Sequence, residues 1–196
     1  MIKCIIFDLG GVLVDFSDEK YYRYISKISK KSPEAIKKKV EPWLWRLYIG
    51  ATKVQLFEKD IARSFSIPLS KVRWVQFYEE KVRPKKDVIA ILRKLRRRYV
   101  IAFISNIDSS RYDVRKAEIE HSMFDYKFAS SFVKLSKPDP EIFKYALKRM
   151  RIQPGEAVFI DDRRINVISA RSVGIPSILF RGSKDLEKKL KRMKVL

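Results

Sequence analysis

Ile5-Ile6-Phe7-Asp8-Leu9-Gly10-Gly11-Val12-Leu13 begins with a β-favouring apolar run that stops abruptly at a carboxylate. The same arrangement returns in Phe103-Ile104-Ser105-Asn106 and in Val158-Phe159-Ile160-Asp161-Asp162, with Asn166 behind it, while Lys137-Pro138-Asp139-Pro140 brings a cation to the set. Each apolar run reads as a strand, which puts Asp8, Ser105 and the Asp161–Asp162 pair at carboxyl ends of strands. Were those strands parallel neighbours, the polar ends would converge in the crevice where open α/β sheets bind ligands. One apolar run ending in Asp would be read as a turn or helix start. Four segments in the order acid, hydroxyl with amide, cation and paired acids read instead as one phosphate and metal site.

Around these segments the chain changes rhythm twice. A strand is expected at about 3–8. From Ser17 to roughly Arg83 apolar residues recur at three- and four-residue spacing, as in Trp74, Phe77 and Tyr78, and Ser32-Pro33, Gly50 and Pro68 divide the block into about four helices near 18–31, 33–48, 52–66 and 70–82. After Pro84 helix and strand alternate. Helices are expected at 85–98, 109–120, 139–151, 164–173 and 184–193, and strands at 99–104, 127–130, 157–161 and 176–180. Such alternation implies βαβ crossovers and a parallel sheet with helices on both faces. The fold class is therefore α/β, with a helical block inserted after the first strand: a core of residues 1–15 and 84–196 and an insertion of 16–83.

Composition sets the bounds. With 196 residues the chain has room for one domain with an insertion and can bury a sizeable core. The longest apolar stretch, Tyr99 to Ile104, is far short of the roughly 18 residues that span a bilayer, so no membrane partner is expected. The first residues read as a strand, and the single cysteine, Cys4, gives no disulfide framework. A cytoplasmic location is expected on these grounds. The net charge of +21 is spread evenly, with 16 basic to 8 acidic residues in 17–84 and 28 to 15 elsewhere. Its densest runs, Arg93-Lys94-Leu95-Arg96-Arg97-Arg98 and Lys188-Lys189-Leu190-Lys191-Arg192, sit at expected helix ends, where cations favour the macrodipole. A generally basic surface follows, which would attract anionic substrates and bind nucleic acid at most weakly and without sequence preference. Two asparagines and three glutamines in a chain rich in Lys, Arg and Glu suggest a thermophile source. Both asparagines, Asn106 and Asn166, lie in or just behind the quoted segments.

Five further residues are informative. Trp43, Trp45 and Trp74 all fall in the helical block and are expected to fill its core, with Trp43, Trp45 or Tyr48 as the alternatives for a substrate-facing position. His121 ends an expected helix and reads as a surface residue at its C-terminus.

The four segments, with Lys137-Pro138-Asp139-Pro140-Glu141-Ile142-Phe143 and Asp161-Asp162 followed by Asn166, Ala170 and Gly174, resemble the haloacid dehalogenase superfamily of hydrolases over nearly the whole chain. The resemblance implies a Rossmann-like core and makes the block at 16–83 a helical cap over the site. It implies a phosphatase acting on phosphate monoesters: Asp8 as the nucleophile forming an aspartyl-phosphate, and Mg²⁺ held by Asp8, the Gly10 carbonyl and Asp162, with Asp161 acting mainly through water. Ser105 and Lys137 would be catalytic and hold the phosphoryl group together with the backbone of Leu9, Gly10 and Asn106. Chemistry agrees with the metal. A dianionic monoester resists an anionic nucleophile unless a divalent cation neutralises charge, and Mg²⁺ accepts one or two carboxylates plus water and substrate oxygen.

One position departs from the resembled pattern. Most phosphatases of the superfamily carry a second Asp two residues after the nucleophile, as the acid for the leaving group; here that position is Gly10. Asp15 and Asp18 are the nearby alternatives, and Gly10 read as backbone is expected to occupy a positive-φ turn. The substrate class implied is a small phosphorylated metabolite. Gly10 and the charge motivate the alternative of a catalytically weak or inactive member binding phosphate or nucleic acid. A haloacid dehalogenase is disfavoured because that chemistry needs no metal, which would leave Asp161 and Asp162 uncompensated beside Asp8. Oligomeric state is not legible.

Overall fold

The computed structural model describes residues 1–112 and 121–196. Its sheet comprises β1 (Cys4–Phe7), β2 (Val100–Ser105), β3 (Tyr126–Ala129), β4 (Ala157–Asp161) and β5 (Ser177–Leu179), in the order β3-β2-β1-β4-β5 with every neighbouring pair parallel. The strands read as unbroken apolar runs because both faces are covered. Side chains alternate. Ile5, Phe7, Ile101, Phe103, Val158 and Ile160 face one side, against α5 (Lys86–Leu95) and α9 (Ser183–Arg192). Cys4, Ile6, Ala102, Ile104, Ala157 and Phe159 face the other, with α7 (Pro140–Met150) and Ala170 of α8 (Arg164–Ser172). A four-residue helix, α6 (Ser130–Val133), follows β3. This is the α/β arrangement the alternation predicts.

The inserted block forms α1 (Asp18–Ser29), α2 (Pro33–Tyr48), α3 (Val54–Phe65) and α4 (Trp74–Lys81). Its core, built on Phe16, Tyr21, Ile25, Val40, Phe57 and Trp74, includes no strand residue. Edge-on ring pairs tie it together, with Tyr21 to Trp74 and Phe16 to Tyr78 both at 4.6 Å between centroids, a geometry favoured by the ring quadrupole.

Several expectations change. Trp74 is fully buried and Trp43 packs at the edge of this core, but Trp45 is 53% exposed and donates from Nε1 to Ser136 Oγ at 3.1 Å. It follows the buried Leu44 by one residue, a step of about 100° around a helix, and so leaves the core face. The helix expected at 85–98 stops at Leu95, and Arg96–Arg98 turn back toward β2. The helix expected at 109–120 lies mostly outside the described residues; its first four positions form a turn. His121 opens a short 3-10 turn, His121–Met123, and its Nε2 lies 3.1 Å from the Tyr112 carbonyl. Cys4 is free and buried, and burial pushes its thiol up to about 12, which leaves it unreactive. Among the described residues no helix is long and apolar enough to cross a membrane.

Candidate active site

The register decides where the polar residues meet. Phe7 pairs with Phe103 on one side and Ile160 on the other, so Asp8 leaves the sheet level with Asp161, and Ser105 lies one position beyond that level on β2. The Asp8 amide continues the ladder to the Ile160 carbonyl at 2.9 Å. β1 is central, with β2 and β4 on opposite sides, so these ends enclose the crevice at which open α/β sheets take their ligands. Into it from the loop before α7 comes Lys137. Its Nζ lies 2.9 Å from Asp8 Oδ1 and 2.7 Å from Asp161 Oδ2, and its side chain is 1% exposed. Burial opposes the ammonium charge, but Asp161 and Asp8 outweigh it and hold the lysine above its ordinary pKa.

Both asparagines act on this cation. Asn106 clamps the Lys137 backbone from both sides: Nδ2 donates to the Lys137 carbonyl at 2.8 Å, and the Lys137 amide donates to Oδ1 at 2.9 Å. Asn166 donates from Nδ2 to both Asp161 oxygens at 3.0 Å, and the Arg163 amide adds a bond to Oδ1 at 2.8 Å. With Lys137 on Oδ2, Asp161 is saturated by donors from the protein.

Asp8, Asp161 and Asp162 each offer a carboxylate oxygen, all within 4.8 Å of one another, and among the described residues Lys137 is the buried ammonium that faces them. Burial pushes Asp8 up to about 7, with Lys137 opposing and the neighbouring carboxylates reinforcing the shift; burial and Asp161 raise Asp162 as well. An all-oxygen donor set with surplus negative charge fits a hard divalent cation. Gly11 makes room for the Asp162 carboxylate. Its φ is +76°, and a Cβ there would lie 2.6 Å from Asp162 Cγ. The positive-φ turn is thus at Gly11 and not, as expected from sequence, at Gly10, where an added Cβ would meet only the Phe16 carbonyl at 3.3 Å. The Leu9 amide, expected to face phosphate, donates to Asp8 Oδ1 at 2.7 Å.

These groups open into a cavity of about 190 Å³ shared between the strand ends and the helical block. Asp8, Leu9, Gly10, Ser105, Asn106, Lys137 and Asp162 all line it; Asp161 is fully buried behind Lys137. Asp18, Tyr22, Tyr48 and Tyr78 line it from the helices. Asp15 does not: its side chain is 62% exposed and pairs with Lys20 at 2.9 Å. Arg111, which the sequence reading did not single out, is buried at the cavity wall. Its Nε binds Asp108 Oδ2 at 2.6 Å, its guanidinium sits 4.3 Å from the Trp74 ring and 5.0 Å from Tyr78, and Trp74 Nε1 also donates to Asp108 at 3.0 Å. The available signal was an acid and a base three apart, Asp108 and Arg111, immediately after the Ser105-Asn106 strand end.

The chain is similar to known proteins over most of its length. The family model described as haloacid dehalogenase-like hydrolase matches residues 2–174. D-ribitol-5-phosphate phosphatase of Bacteroides thetaiotaomicron is 25% identical over 97% of both chains. The phosphorylated carbohydrates phosphatase of Thermotoga maritima is 26% identical over 90% of this chain and 84% of its own. The crystal structure of a HAD family enzyme from B. thetaiotaomicron, in complex with magnesium and inorganic phosphate, superposes with a TM-score of 0.72 at 25% identity, covering 92% of this chain and 95% of that one.

Proposed function

The chain belongs to the haloacid dehalogenase-like hydrolases, and within that family we propose that it is a Mg²⁺-dependent phosphatase of small phosphorylated metabolites working through an aspartyl-phosphate on Asp8. The observation that carries this reading is the constellation of buried Asp8 and Asp161 and half-buried Asp162 around the Lys137 ammonium, open to a cavity of small-molecule size. Asp8, Asp162 and the Gly10 carbonyl would hold Mg²⁺, which neutralises the anionic nucleophile and phosphate and aligns them. Asp161, with both oxygens already bonded, anchors Lys137 and would reach the cation only through water.

Each remaining group has a stated task. Lys137 keeps Asp8 oriented and its charge compensated before substrate arrives. The Ser105 hydroxyl, at the end of β2 in the cavity wall, donates to the transferring phosphoryl group, and the Asn106 amide assists it. The Asn106 side chain fixes the Lys137 backbone. The α1–α4 block serves as a cap: its core is separate from the sheet, yet it supplies part of the cavity wall. Phosphatases among the relatives, named for D-ribitol 5-phosphate, for phosphorylated carbohydrates and for a sesquiterpene, support a phosphorylated small molecule as the substrate class. Phosphate release from a panel of phosphorylated metabolites tests the reading. Asp8→Asn and chelation should each abolish it, and Asp162→Asn should sharply raise the Mg²⁺ requirement. Undiminished turnover in Asp8→Asn would refute the covalent route.

A further inference from the structure

An alkyl phosphate expels a poor leaving group, an alkoxide, so a hydrolase acting on one needs a proton delivered at the ester oxygen. Among the described residues the acids around the cavity divide clearly. Asp8 is held by Lys137, and Asp162 belongs to the carboxylate cluster. Glu19 and Glu41 reach the cavity from exposed positions. Asp18 is different. It is the first residue of α1, lines the same cavity from the helical block, and accepts a 2.5 Å hydrogen bond at Oδ1 from Tyr48 Oη, contributed by the last residue of α2. Tyr48 is itself buried and fixed, with its carbonyl accepting from Ser130 Oγ at 2.7 Å and its ring 5.4 Å from the Arg111 guanidinium.

We propose that Asp18 donates the proton to the leaving oxygen and then serves as the base for the attacking water. The proposal rests on the phosphatase reading above. In the first half-reaction a bond forms between Asp8 Oδ and phosphorus, the phosphorus–ester oxygen bond breaks, and the Asp18 proton goes to the departing oxygen. In the second, water oxygen bonds to phosphorus, the Asp8 oxygen–phosphorus bond breaks, and the proton lost by water returns to Asp18. Phosphate leaves and both carboxyl groups are restored.

The surroundings suit both states of the acid. Burial raises Asp18 above the usual carboxylate range, which favours the protonated form needed at the start. Once ionised, the carboxylate is received by the Tyr48 hydroxyl and by the fields of Arg111 and Arg163, while Glu19 opposes it. Tyr22, on the next turn of α1, feels the same carboxylate. Tyr48 is driven well above the normal phenol range, chiefly by burial, so it orients Asp18 and does not replace it.

The test is a leaving-group series. kcat/KM is measured for alkyl phosphates and for p-nitrophenyl phosphate in wild type, Asp18→Asn, Asp18→Glu and Asp8→Asn. Wild type should depend weakly on leaving-group acidity. Asp18→Asn should lower the alkyl rates by about 10²–10⁴-fold and the p-nitrophenyl rate far less, with part of the loss recovered in Asp18→Glu. An equal drop across the series, or none, overturns the role of Asp18. Activity surviving in Asp8→Asn overturns the underlying phosphatase reading instead, so the two failures are separable. Tyr48→Phe provides the measurement if Asp18→Asn does not fold. Removing a donor to the carboxylate should raise the Asp18 pKa further and move the alkaline limb of the alkyl-phosphate pH profile to higher pH; an unmoved limb overturns the proposal.

Discussion

Lys137→Met removes the one buried cation that faces both Asp8 and Asp161, and the cost can be worked from the geometry. Nζ lies 2.9 and 2.7 Å from the two carboxylates, and its side chain is almost completely shielded from water. Breaking a buried pair by deleting one partner typically costs about 3–5 kcal/mol, because the remaining charge is left uncompensated. In a chain of this size each kcal/mol moves the melting point by about 2–4 °C, so a fall of about 6–20 °C is expected in the presence of chelator. The deficit should depend on pH with a definite sign. In the variant Asp8, already raised by burial, loses its cation and faces the Asp161 carboxylate, so its folded pKa rises further above the unfolded value of about 3.9. The folded state then binds more protons than the unfolded one, and stability falls as pH rises through that window. Lys137 in wild type stays charged throughout, since its own pKa is raised. The gap between variant and wild type should therefore be larger at pH 8 than at pH 5, and Mg²⁺ should narrow it by compensating Asp8. Thermal unfolding at the two pH values, with and without Mg²⁺, and calorimetric binding of inorganic phosphate supply the measurements. A variant that melts with wild type at pH 8 and binds phosphate equally well would show that Lys137 does not hold the site together.

Gly11→Ala should lower stability by about 1–2 kcal/mol for its left-handed φ and raise the Mg²⁺ requirement by displacing Asp162, whereas Gly10→Ala should do much less; thermal unfolding and a Mg²⁺ titration of activity compare them. Asp108 is held below the usual carboxylate range because Arg111 and its hydrogen bonds outweigh burial. Its contribution is thus fully present above about pH 4 and is lost as pH falls through its depressed value; urea titrations should show Asp108→Asn costing about 3–5 kcal/mol at neutral pH and less in acid. Nucleic acid should bind weakly, without sequence preference and with steep salt dependence, because the charge is spread over the chain and counterion release dominates such contacts. Fluorescence anisotropy with unrelated duplexes at several salt concentrations measures this, and a strong sequence preference would contradict it.

Much of the molecule is legible in its sequence because short-range rules govern it. Strands buried on both faces must be apolar throughout, so β1, β2 and β4 announce themselves, and their abrupt polar ends mark Asp8, Ser105 and Asp161–Asp162. Helical periodicity likewise gave α1–α4 and α7–α9 to within a few residues. Distance in space is another matter. That Asn106 would grip the Lys137 backbone, 31 residues away, and that Tyr48 would bond Asp18 across the helical block depend on how α2 and the loop before α7 pack. Which glycine takes the positive φ depended on where Asp162 needed room, a contact between two strand ends separated by some 150 residues. Arg111 stayed hidden for the same reason: in the chain it is one base among 44, and only the closing of Phe16, Trp74 and Tyr78 over it makes it a buried cation at the cavity wall. The sequence alone determined the donor chemistry, since residue types and strand ends are local properties. Tertiary structure decided which donors face which, because a hydrogen bond or ion pair is set within a few tenths of an ångström by packing that no local pattern encodes.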